Sequence, residues 1–391
     1  MDLEALGCSP IGDLVKIEGT DAKGNYFTHS AYVPHPLPAD VELSSKTWNA
    51  VSQAMEALGR LKQACSQLPN PGLLIVPALA LEAQTTSALE GTHAALYEIL
   101  EARLPQLAQL TGEVREILGY EQMANEAFEL VRKRPITIAM LTDLQAVLAA
   151  SSRTQPRDPG RVRQHQVIIA PENYKSMHDA RFVPPPPGDQ LAVGLDDWQR
   201  WVNADHDLPI PIVAALAHYQ FETLHPFGDG NGRVGRLIII LQLLRSGALT
   251  DPALTISPWF LRHRDEYADL LLQTSGTGAW DPWVEFFCTA LKEQCESHVA
   301  VAEQLMEWIR LVRLELQTRR WGGVIVQLAE DLVVWPVVTM TFTAQKYNVS
   351  TPTAKSAIDR LVEIGVLTEM TGRNYRRVFG ATSVMALVES L

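Results

Sequence analysis

Residues 225–236 read HPFGDGNGRVGR, and this stretch decides how the rest of the chain is interpreted. An apolar segment that is predicted to be a helix precedes it at 212–224, and a second one follows at 234–246. Glycine accepts backbone conformations that are closed to other residues, so the chain can turn sharply between these helices. The loop has three such residues, Gly228, Gly230 and Gly232. The stretch therefore predicts a glycine-rich loop that runs into the N-terminus of a helix.

This loop has the chemistry of a phosphate-binding site. The first N–H groups of a helix have no partner within it, and the helix dipole places partial positive charge at the same end. A glycine-rich loop before that end lets an anion approach closely. Arg233 and Arg236 lie three residues apart on the first turn, so both guanidinium groups share one face and can pair with phosphate oxygens. We expect this helix end to bind phosphate groups.

Two further side chains of the loop point to a reaction in addition to binding. Asp229 is the only carboxylate there, and a Mg²⁺ ion that bridges phosphates usually takes one or two protein carboxylates. Histidine ordinarily titrates near neutrality, which makes His225 a suitable proton acceptor. The alternative is structural: His225 caps a helix, the glycines form an ordinary turn, and the arginines are solvated.

The same residues resemble the signature of the Fic-domain proteins, HPFxxGNGRxxR, in which an acid commonly precedes the central GNG. Every fixed position of that signature is met in residues 225–236. The resemblance spreads over about residues 105–300. It implies a mainly α fold, with a helical Fic core and a small β-hairpin flap.

The resemblance implies a protein adenylyltransferase, which moves AMP from ATP to a Ser, Thr or Tyr hydroxyl of a protein. His225 would take the proton from that hydroxyl, and Asp229 would hold Mg²⁺ across the α- and β-phosphates. Arg233 and Arg236 would hold the β- and γ-phosphates. Backbone groups of Gly230, Asn231 and Gly232 would bind the α-phosphoryl group. The Asn231 side chain would bind it as well.

Upstream of the loop, residues 160–187 resemble the family's β-hairpin flap, which pairs with the backbone of a target segment by strand addition. We therefore expect a hydroxyl-bearing target protein to dock on residues 163–183, Arg163 being part of this flap. A plain surface hairpin is the alternative.

The pocket for the nucleotide base departs from the family pattern. Many members carry two adjacent aromatic residues where this chain has Tyr267 and Ala268. Tyr267 is a candidate for contact with the base. Core packing is the alternative for Tyr267, and equally for Trp280 and Trp283.

A second signature lies upstream of the Fic motif. Residues 86–91 read TSALEG and fit the family's inhibitory pattern [ST]xxxE[GN], with Thr86, Glu90 and Gly91 at the fixed positions. The periodicity predicts one helix over residues 85–104 that carries this pattern. If that helix packs beside the nucleotide site, Glu90 would pair with Arg236 and compete with ATP for it. An ordinary solvated glutamate near a helix end is the alternative.

The chain after residue 321 has a compact pattern of its own. Residues 343–347 and 353–364 are predicted to be helices, with Thr351 as the N-cap of the second and Pro352 at its first helical position. Two short strands around the turn at 371–374 complete the order helix, turn, helix, wing, which resembles the winged helix-turn-helix module. Residues 343–379 are locally basic, so this segment is expected to bind either DNA or protein.

Length and net charge limit the number of domains and the kinds of partner that the chain can have. A chain of 391 residues is too long for one ordinary core, so we expect an N-terminal helical region at 1–104, a catalytic domain at 105–300, a linker helix at 301–320 and a winged-helix domain at 321–391. The net charge of −12 gives no global attraction to nucleic acid or to an anionic membrane.

Targeting signals and cysteines point to the compartment. The sequence shows no signal segment and no apolar run near the roughly 18 residues that span a bilayer. The four cysteines are scattered and indicate reduced thiols. These features predict a cytoplasmic protein that has no contact with membranes.

Two alternatives to the transferase remain open at this point. One is hydrolytic removal of AMP from a modified protein, in which Glu90 positions a water molecule. The other is a DNA-binding regulator that acts through the winged helix. The resemblance also makes a homodimer a candidate assembly.

Overall fold

The computed structural model describes residues 1–20, 26–104, 110–154, 156–170, 176–372 and 376–391. Within these ranges the chain is mainly helical, as predicted, with sixteen α-helices and five strands. The helices are α1 (Leu3–Gly7), α2 (Ser45–Gln67), α3 (Gly72–Leu89), α4 (Leu96–Ala102), α5 (Gly112–Val131), α6 (Ile138–Ala150), α7 (Asp189–Val202), α8 (Ile210–Leu224), α9 (Asn231–Arg245), α10 (Ser257–Arg262), α11 (Arg264–Thr277), α12 (Trp280–Thr318), α13 (Val324–Asp331), α14 (Met340–Lys346), α15 (Thr351–Glu363) and α16 (Thr382–Glu389). The strands are β1 (Gly12–Thr20), β2 (Tyr26–Pro34), β3 (Val337–Thr339), β4 (Thr368–Glu369) and β5 (Val378–Gly380).

An antiparallel ribbon of β1 and β2 lies near the start of the chain, and the sequence analysis missed it. The strands pair from Gly12 with Pro34 to Thr20 with Tyr26. The predicted N-terminal helical region at 1–104 therefore also contains two strands. Residues 26–34 read YFTHSAYVP, and their aromatic and β-branched side chains are the signal that favours a strand.

Helix α8 runs through the centre of the main core. Every residue from Pro211 to Leu224 is buried, and a helix that is enclosed on all sides must be surrounded by other elements. Helices α2, α7, α9 and α12 pack around it. Proline favours the first turn, where the missing N–H costs nothing, so Pro211 helps to fix the start. The buried helix in turn fixes the position of its C-cap residue, His225.

Helix α3 ends at Leu89, so the prediction of one helix over residues 85–104 is wrong. Gly91 has a φ of 85°, and its N–H bonds to the Ala88 carbonyl at 3.0 Å. The Thr92 N–H bonds to the Ser87 carbonyl at 2.9 Å. These two bonds form the Schellman motif, which favours a glycine just after the helix. The glycine of TSALEG thus ends the helix and leaves Glu90 at its C-cap.

Helix α3 is also the one described helix that is long and apolar enough to cross a bilayer, judged by length and composition. The expectation that the chain has no such segment overlooked it. However, 78% of this helix is buried within the protein, because it packs against α5, α9, α10 and α4. Core helices pass the same test, so this segment is weak support for a membrane span.

Helix α12 is 39 residues long and joins two hydrophobic cores. Its first half packs in the main core with α2 and α8, and its second half packs in another core with α13 and the C-terminal elements. Residues of α3 and α4 also contribute to the second core. The predicted boundary at residue 300 falls inside this continuous helix, and the four-domain division stays a prediction.

The C-terminal elements follow one another as helix α14, a turn, helix α15 and strands β4 and β5. Strand β5 lies between β3 and β4 in one antiparallel sheet. The N-cap of α15 is Ser350, whose Oγ accepts from the Thr353 N–H at 3.4 Å. The predicted N-cap at Thr351 is therefore wrong by one residue. Part of the predicted wing turn, residues 373–375, lies outside the described residues.

The flap is a short hairpin that the N-terminal ribbon braces. Ile169 and Phe182 form an antiparallel bridge, with N–H to carbonyl distances of 2.9 and 3.1 Å. The Tyr32 N–H of β2 donates to the Val183 carbonyl at 2.9 Å, so the second arm of the flap lies between the first arm and β2. Within the described residues, no strand pairs with the other side of the first arm, which is the open edge of the hairpin. Residues 171–175 of the predicted flap lie outside the described residues.

Candidate active site

The loop between α8 and α9 leaves the first turn of α9 without a side-chain cap. Gly230 is the N-cap residue, and its φ of 83° lies in the left-handed region that favours glycine. Within the described residues, no side chain accepts a capping bond there. The N–H groups of the first turn and the positive end of the helix dipole therefore remain for an anion.

Only one of the three loop glycines has a positive φ. A Cβ on Gly232 would lie 2.0 Å from Glu90 Oε1 and 2.8 Å from Arg236 Nη1, so Gly232 is needed for close approach. A Cβ on Gly228 would meet the His165 ring at 3.3 Å. The expectation that all three glycines serve backbone freedom is therefore wrong for two of them.

His225 has the geometry of a proton acceptor. Its backbone is left-handed, with a φ of 49°. Its Nδ1 lies 3.2 Å from the Glu222 carbonyl, which can only accept, so Nδ1 carries the proton and Nε2 keeps a free lone pair. Burial and the charge of Arg163 lower the pKa of His225 to about 4. The imidazole is therefore neutral at pH 7.

Arg163 holds the backbone around His225. This buried side chain donates through Nε to the His225 carbonyl at 2.8 Å and through Nη2 to the Pro185 carbonyl at 2.6 Å. Its backbone N–H bonds to the Pro226 carbonyl at 2.9 Å. Burial lowers the pKa of Arg163 to about 10, so it stays charged at neutral pH. Arg163, which the sequence analysis assigned only to the flap, ties the base of the flap to the loop.

The Asn231 side chain binds the backbone of the loop. Its Nδ2 donates to the Phe227 carbonyl, and its Oδ1 accepts from the Phe227 N–H, both at 2.8 Å. The residue is only 2% exposed, so both polar groups of the amide are used inside the protein. The side chain therefore closes the loop through the Phe227 backbone. Contact of the Asn231 side chain with an α-phosphoryl group stays a prediction, since Nδ2 has a second N–H.

Arg233 is buried and paired with two carboxylates. Its Nη1 donates to Glu116 Oε1 at 2.6 Å, and its Nη2 donates to Asp229 Oδ2 at 3.3 Å. Its side chain is 2% exposed. Arg233 is absent from the lining of the cavity that Arg236 lines. Of the two arginines, Arg236 lines the cavity, whereas Arg233 pairs with Asp229 and Glu116. Phosphate binding by Arg233 stays a prediction.

Asp229 has the chemistry of a ligand to one hard cation. Its side chain is half exposed, and its carbonyl accepts from the Gln145 amide at 3.2 Å. No group of three or more His, Cys, Asp or Glu residues with metal-site geometry occurs in the described ranges. A single carboxylate fits a Mg²⁺ ion that is held mainly by phosphate oxygens and water, and it does not fit an ion caged by the protein alone.

Two residues of the TSALEG segment at the end of α3, Thr86 and Glu90, bind Arg236. Its Nη2 lies 2.6 Å from Glu90 Oε1, and its Nε donates to Thr86 Oγ1 at 2.7 Å. The Thr86 carbonyl accepts a further bond from Nη2 at 3.0 Å. Burial opposes ionisation of Glu90, but the charge of Arg236 outweighs it and holds the pKa of Glu90 below its ordinary value. Gly91 contacts neither group and ends the helix.

One cavity of about 190 Å³ lies beside the loop, and Asp229, Asn231 and Arg233 are not part of its lining. His225, Gly232, Arg236 and Glu90 lie at its polar end. Apolar side chains of α11 and of the flap close the rest, namely Ala268, Leu271, Leu272, Ile169 and Phe182. A larger groove of about 740 Å³ runs between α2 and α12, but none of the predicted site residues lines it.

Tyr267 lines the cavity and also belongs to the aromatic core. It is 8% exposed, its hydroxyl lies 2.8 Å from His218 Nε2, and its ring stacks on Phe260 with centroids 4.6 Å apart. Trp283 is fully buried and donates to the Ala215 carbonyl, and Trp280 packs edge-on against Tyr219. The tryptophans are packing residues, whereas Tyr267 also forms part of the cavity wall, and its contact with a nucleotide base stays a prediction.

Three glutamates of the site region were not found from the sequence. Glu116 on α5 balances Arg233, Glu82 on α3 accepts from the first N–H groups of α10, and Glu222 on α8 lines the cavity. Glu222 precedes His225 by three residues, which is about one helical turn. This spacing could have indicated from the sequence that Glu222 lies close to His225. Glu82 and Glu116 lie on other helices, and only the tertiary fold brings them in.

The sequence matches the Fic/DOC family N-terminal region over residues 48–129 and the Fic/DOC family over residues 135–243. The chain therefore contains a Fic domain. This Fic chain is 29% identical over 240 residues to Protein adenylyltransferase Fic of Drosophila virilis, a match that covers 61% of this chain and 45% of that protein. It is 35% identical over 168 residues to the protein of the same name from Drosophila ananassae, covering 41% and 31%. The Fic chain thus spans less than half the length of these curated relatives.

Among solved structures, the Fic chain is similar to a Fic family protein from Desulfovibrio desulfuricans G20. The TM-score is 0.56 at 19% identity, and the likeness covers 87% of this chain and 97% of that chain. It shows the Fic fold over most of the chain.

Proposed function

We propose that this protein is an adenylyltransferase that moves AMP from ATP to a hydroxyl side chain of a protein. The observation that carries the proposal is the single cavity that joins a neutral His225, the uncapped start of α9 and Arg236. The cavity thus combines a proton acceptor, an anion site and a phosphate clamp. The curated relatives are named protein adenylyltransferases, which supports the same assignment.

The reaction needs one proton acceptor and one anion site. Nε2 of His225 takes the proton of a Ser, Thr or Tyr hydroxyl, and the hydroxyl oxygen forms a bond to the α-phosphorus of ATP. The bond from that phosphorus to the bridging oxygen breaks, and pyrophosphate leaves with the electron pair. The backbone N–H groups of Asn231 and Gly232 stabilise charge on the α-phosphoryl oxygens. Arg236 pairs with the terminal phosphates.

Asp229 would hold Mg²⁺ in this reaction. The ion would neutralise charge on the α- and β-phosphates of ATP when both are bound. Arg233 would help to hold the Asp229 carboxylate in place, since its Nη2 donates to Oδ2 at 3.3 Å.

Glu90 would act as an inhibitor of transfer. Its carboxylate already occupies Nη2 of Arg236 at 2.6 Å, and Thr86 occupies Nε. A γ-phosphate must displace Glu90 or be displaced by it, because one guanidinium cannot serve both fully. ATP held with its tail out of place presents its α-phosphate out of line for attack. We therefore expect the isolated protein to be slow.

The test is incubation with ATP labelled at the α-phosphate or at the γ-phosphate, followed by intact-protein mass analysis. We expect α-label on protein, with a mass increase of one AMP group. Transfer of the γ-label would identify a kinase and contradict the proposal.

A second candidate is hydrolytic removal of AMP from a modified protein. The observation that favours it is that Glu90 and His225 line the same cavity, so a carboxylate could place a water molecule where the target hydroxyl would lie. The two functions separate in one comparison: a transferase consumes ATP, whereas a hydrolase releases AMP from a modified target without ATP.

The target protein would bind by strand addition at the flap. Its second arm is covered by Tyr32 of β2, so the open edge is the first arm near Ile169, which also lines the cavity. A peptide strand there would carry its hydroxyl toward His225. A homodimer, a cytoplasmic location and DNA contact through residues 343–379 stay predictions.

A further inference from the structure

Glu222 is a buried carboxyl that the reaction described above does not use. It lies on the last turn of α8, is 9% exposed and lines the cavity. Its Oε1 is enclosed and has no hydrogen-bond partner within the described residues. Gly235 of α9 makes room for it, because a Cβ there would lie 2.2 Å from Oε1. Gly235 falls on a variable position of the signature HPFxxGNGRxxR, so the signature does not explain this glycine.

The other polar side chains that line the cavity already have partners. Glu90 and Arg236 pair with each other, and Arg181 pairs with Asp269. The remaining groups bond as follows: Thr223 to the Tyr219 carbonyl, His225 to the Glu222 carbonyl, Tyr267 to His218, and Ser275 to Tyr219 and the Leu271 carbonyl. Apart from Nε2 of His225, which the reaction uses, Glu222 is therefore the polar side chain of the described lining that is left to bind a ligand. A buried polar group without a partner is destabilising, and a ligand that bonds to it removes that cost.

The surroundings of Glu222 keep its proton in place. Burial raises the pKa of Glu222 to about 8, the positive charge of Arg236 on α9 opposes this rise, and the negative charge of Glu90 at the end of α3 adds to it. Tyr267 of α11 and His225 at the end of α8 also face this part of the cavity and are neutral at pH 7. A protonated carboxyl is a hydrogen-bond donor, so it suits an acceptor atom of a ligand.

We propose that Glu222 holds the nucleoside half of the bound nucleotide by donating its carboxyl proton to a ring nitrogen of the adenine base. The inference rests on the proposed function, which makes the ligand an adenine nucleotide. The phosphates are drawn to the start of α9, while the apolar walls from Leu271, Leu272 and Phe182 accept a flat ring. Glu222 supplies a directed polar contact among these walls, which is how small-molecule pockets fix orientation.

The first experiment measures the affinity of the full chain for AMP by calorimetry. AMP is the probe because it carries the base without the terminal phosphates that compete with Glu90. We expect Glu222→Leu to weaken AMP binding about tenfold, the value of one good hydrogen bond. Glu222→Gln keeps a donor and should stay within about threefold of the wild type. The control is Thr289→Val on α12, whose hydroxyl likewise bonds to a carbonyl four residues earlier but which does not line this cavity, and it should leave the affinity unchanged.

The second experiment identifies the atom with three analogues of AMP that each lack one ring nitrogen: 1-deaza, 3-deaza and 7-deaza AMP. In the wild type, we expect one of these analogues to bind about tenfold more weakly than AMP. In Glu222→Leu, the same analogue and AMP should bind with equal affinity, because the group that contacts the nitrogen is already absent. The proposed base contact is wrong if every deaza analogue loses the same affinity in the wild type and in Glu222→Leu. It is also wrong if only 2′-deoxy or 3′-deoxy AMP loses affinity in a way that depends on Glu222.

A pH series gives a readout that a structural role would not produce. AMP affinity of the wild type should fall above about pH 8, as the carboxyl ionises and loses its donor, whereas Glu222→Gln should show no such fall. Equal pH profiles would overturn the proposal. AMP binding that depends on Glu222 without any AMP transfer would sink the proposed function and leave this inference standing.

Discussion

The His225 imidazole sets the pH range in which transfer can run. Its lowered pKa of about 4 means that the neutral, proton-accepting form predominates at every pH above that value. We therefore expect the transfer rate to stay level from about pH 8 down to about pH 5 and to fall only near pH 4. An unperturbed histidine would lose activity near pH 6.5. A pH–rate profile with AMP incorporation as the readout distinguishes the two.

Replacement of the same residue tests its role directly. His225→Ala should lower transfer by about 10² to 10⁴ while ATP binding stays close to that of the wild type, because the imidazole acts on the incoming hydroxyl. The measurements are AMP incorporation and calorimetric ATP affinity, with circular dichroism as the control for folding. Turnover at the wild-type rate would remove His225 from the mechanism.

Asp229 and Arg236 should respond differently to metal. Asp229→Asn should lower transfer at low Mg²⁺, and added Mg²⁺ should restore part of it, because the lost group is one of several ligands to the ion. Arg236→Ala should not be rescued by Mg²⁺, because its role is pairing with the phosphate tail. Identical Mg²⁺ titrations of the two variants would show that these roles are assigned wrongly.

Glu90 should restrain transfer through its charge. Glu90→Gly removes the group 2.6 Å from Arg236, and we expect AMP incorporation to rise, most visibly as self-modification. The gain is on the order of 10², the usual cost of about 1 Å of misplacement at the reacting centre. Glu90→Gln is the matched variant, since it keeps the shape and loses the charge. A hydrolase that needs Glu90 to place water would instead lose AMP release in both variants.

At the level of helices, the position of α3 must be fixed for Glu90 to reach Arg236. Glu82, eight residues earlier, accepts from the Ile256 and Ser257 N–H groups at 3.0 Å each and so caps α10 from the neighbouring helix. Anions are favoured at a helix N-terminus, which explains a carboxylate there. The Arg264 guanidinium donates to the Leu89 carbonyl at 3.1 Å and fixes the other end of α3.

Loss of that anchor should loosen inhibition without touching the cavity. Glu82→Gln keeps one acceptor oxygen but leaves buried donors imperfectly matched, so we expect unfolding free energy to fall by about 1–3 kcal/mol. Transfer should rise, although less than in Glu90→Gly, because α3 then leaves Arg236 more often. Denaturant unfolding and AMP incorporation measure the two effects. A variant that is less stable but no more active would show that the α3 position does not control Glu90.

At the level of the whole molecule, electrostatics argue against strong nucleic-acid binding. The net charge is −12, and two of the C-terminal bases are occupied: Lys355 pairs with Asp359, and Lys346 lies 3.3 Å from Asp331. We expect duplex DNA to bind no more tightly than non-specific contacts allow, with Kd of about 10⁻⁴ to 10⁻⁶ M at physiological salt. Fluorescence anisotropy over a salt series tests this. Nanomolar binding to one DNA sequence would contradict it.

The sequence by itself determined the fold class, the loop at 225–236 and the candidates His225, Asp229, Arg236 and Glu90. It did so because local spacing encodes these features: helical periodicity shows where α8 and α9 lie, and the glycine-rich loop between them identifies an anion site whatever surrounds it. The pattern TSALEG also marked Glu90, although the periodicity extended its helix past Gly91.

Only the tertiary structure decided which charges meet. Arg233 differs from Arg236 because Glu116 arrives from α5 and Glu90 from α3, and no spacing within 225–236 contains that information. Asn231 closes the loop, since its amide fits the Phe227 backbone once α9 has formed. The N-terminal ribbon braces the flap through a contact between residues 151 positions apart, Tyr32 and Val183. Partners distant along the chain are selected by packing of the cores, and a single sequence does not record that choice.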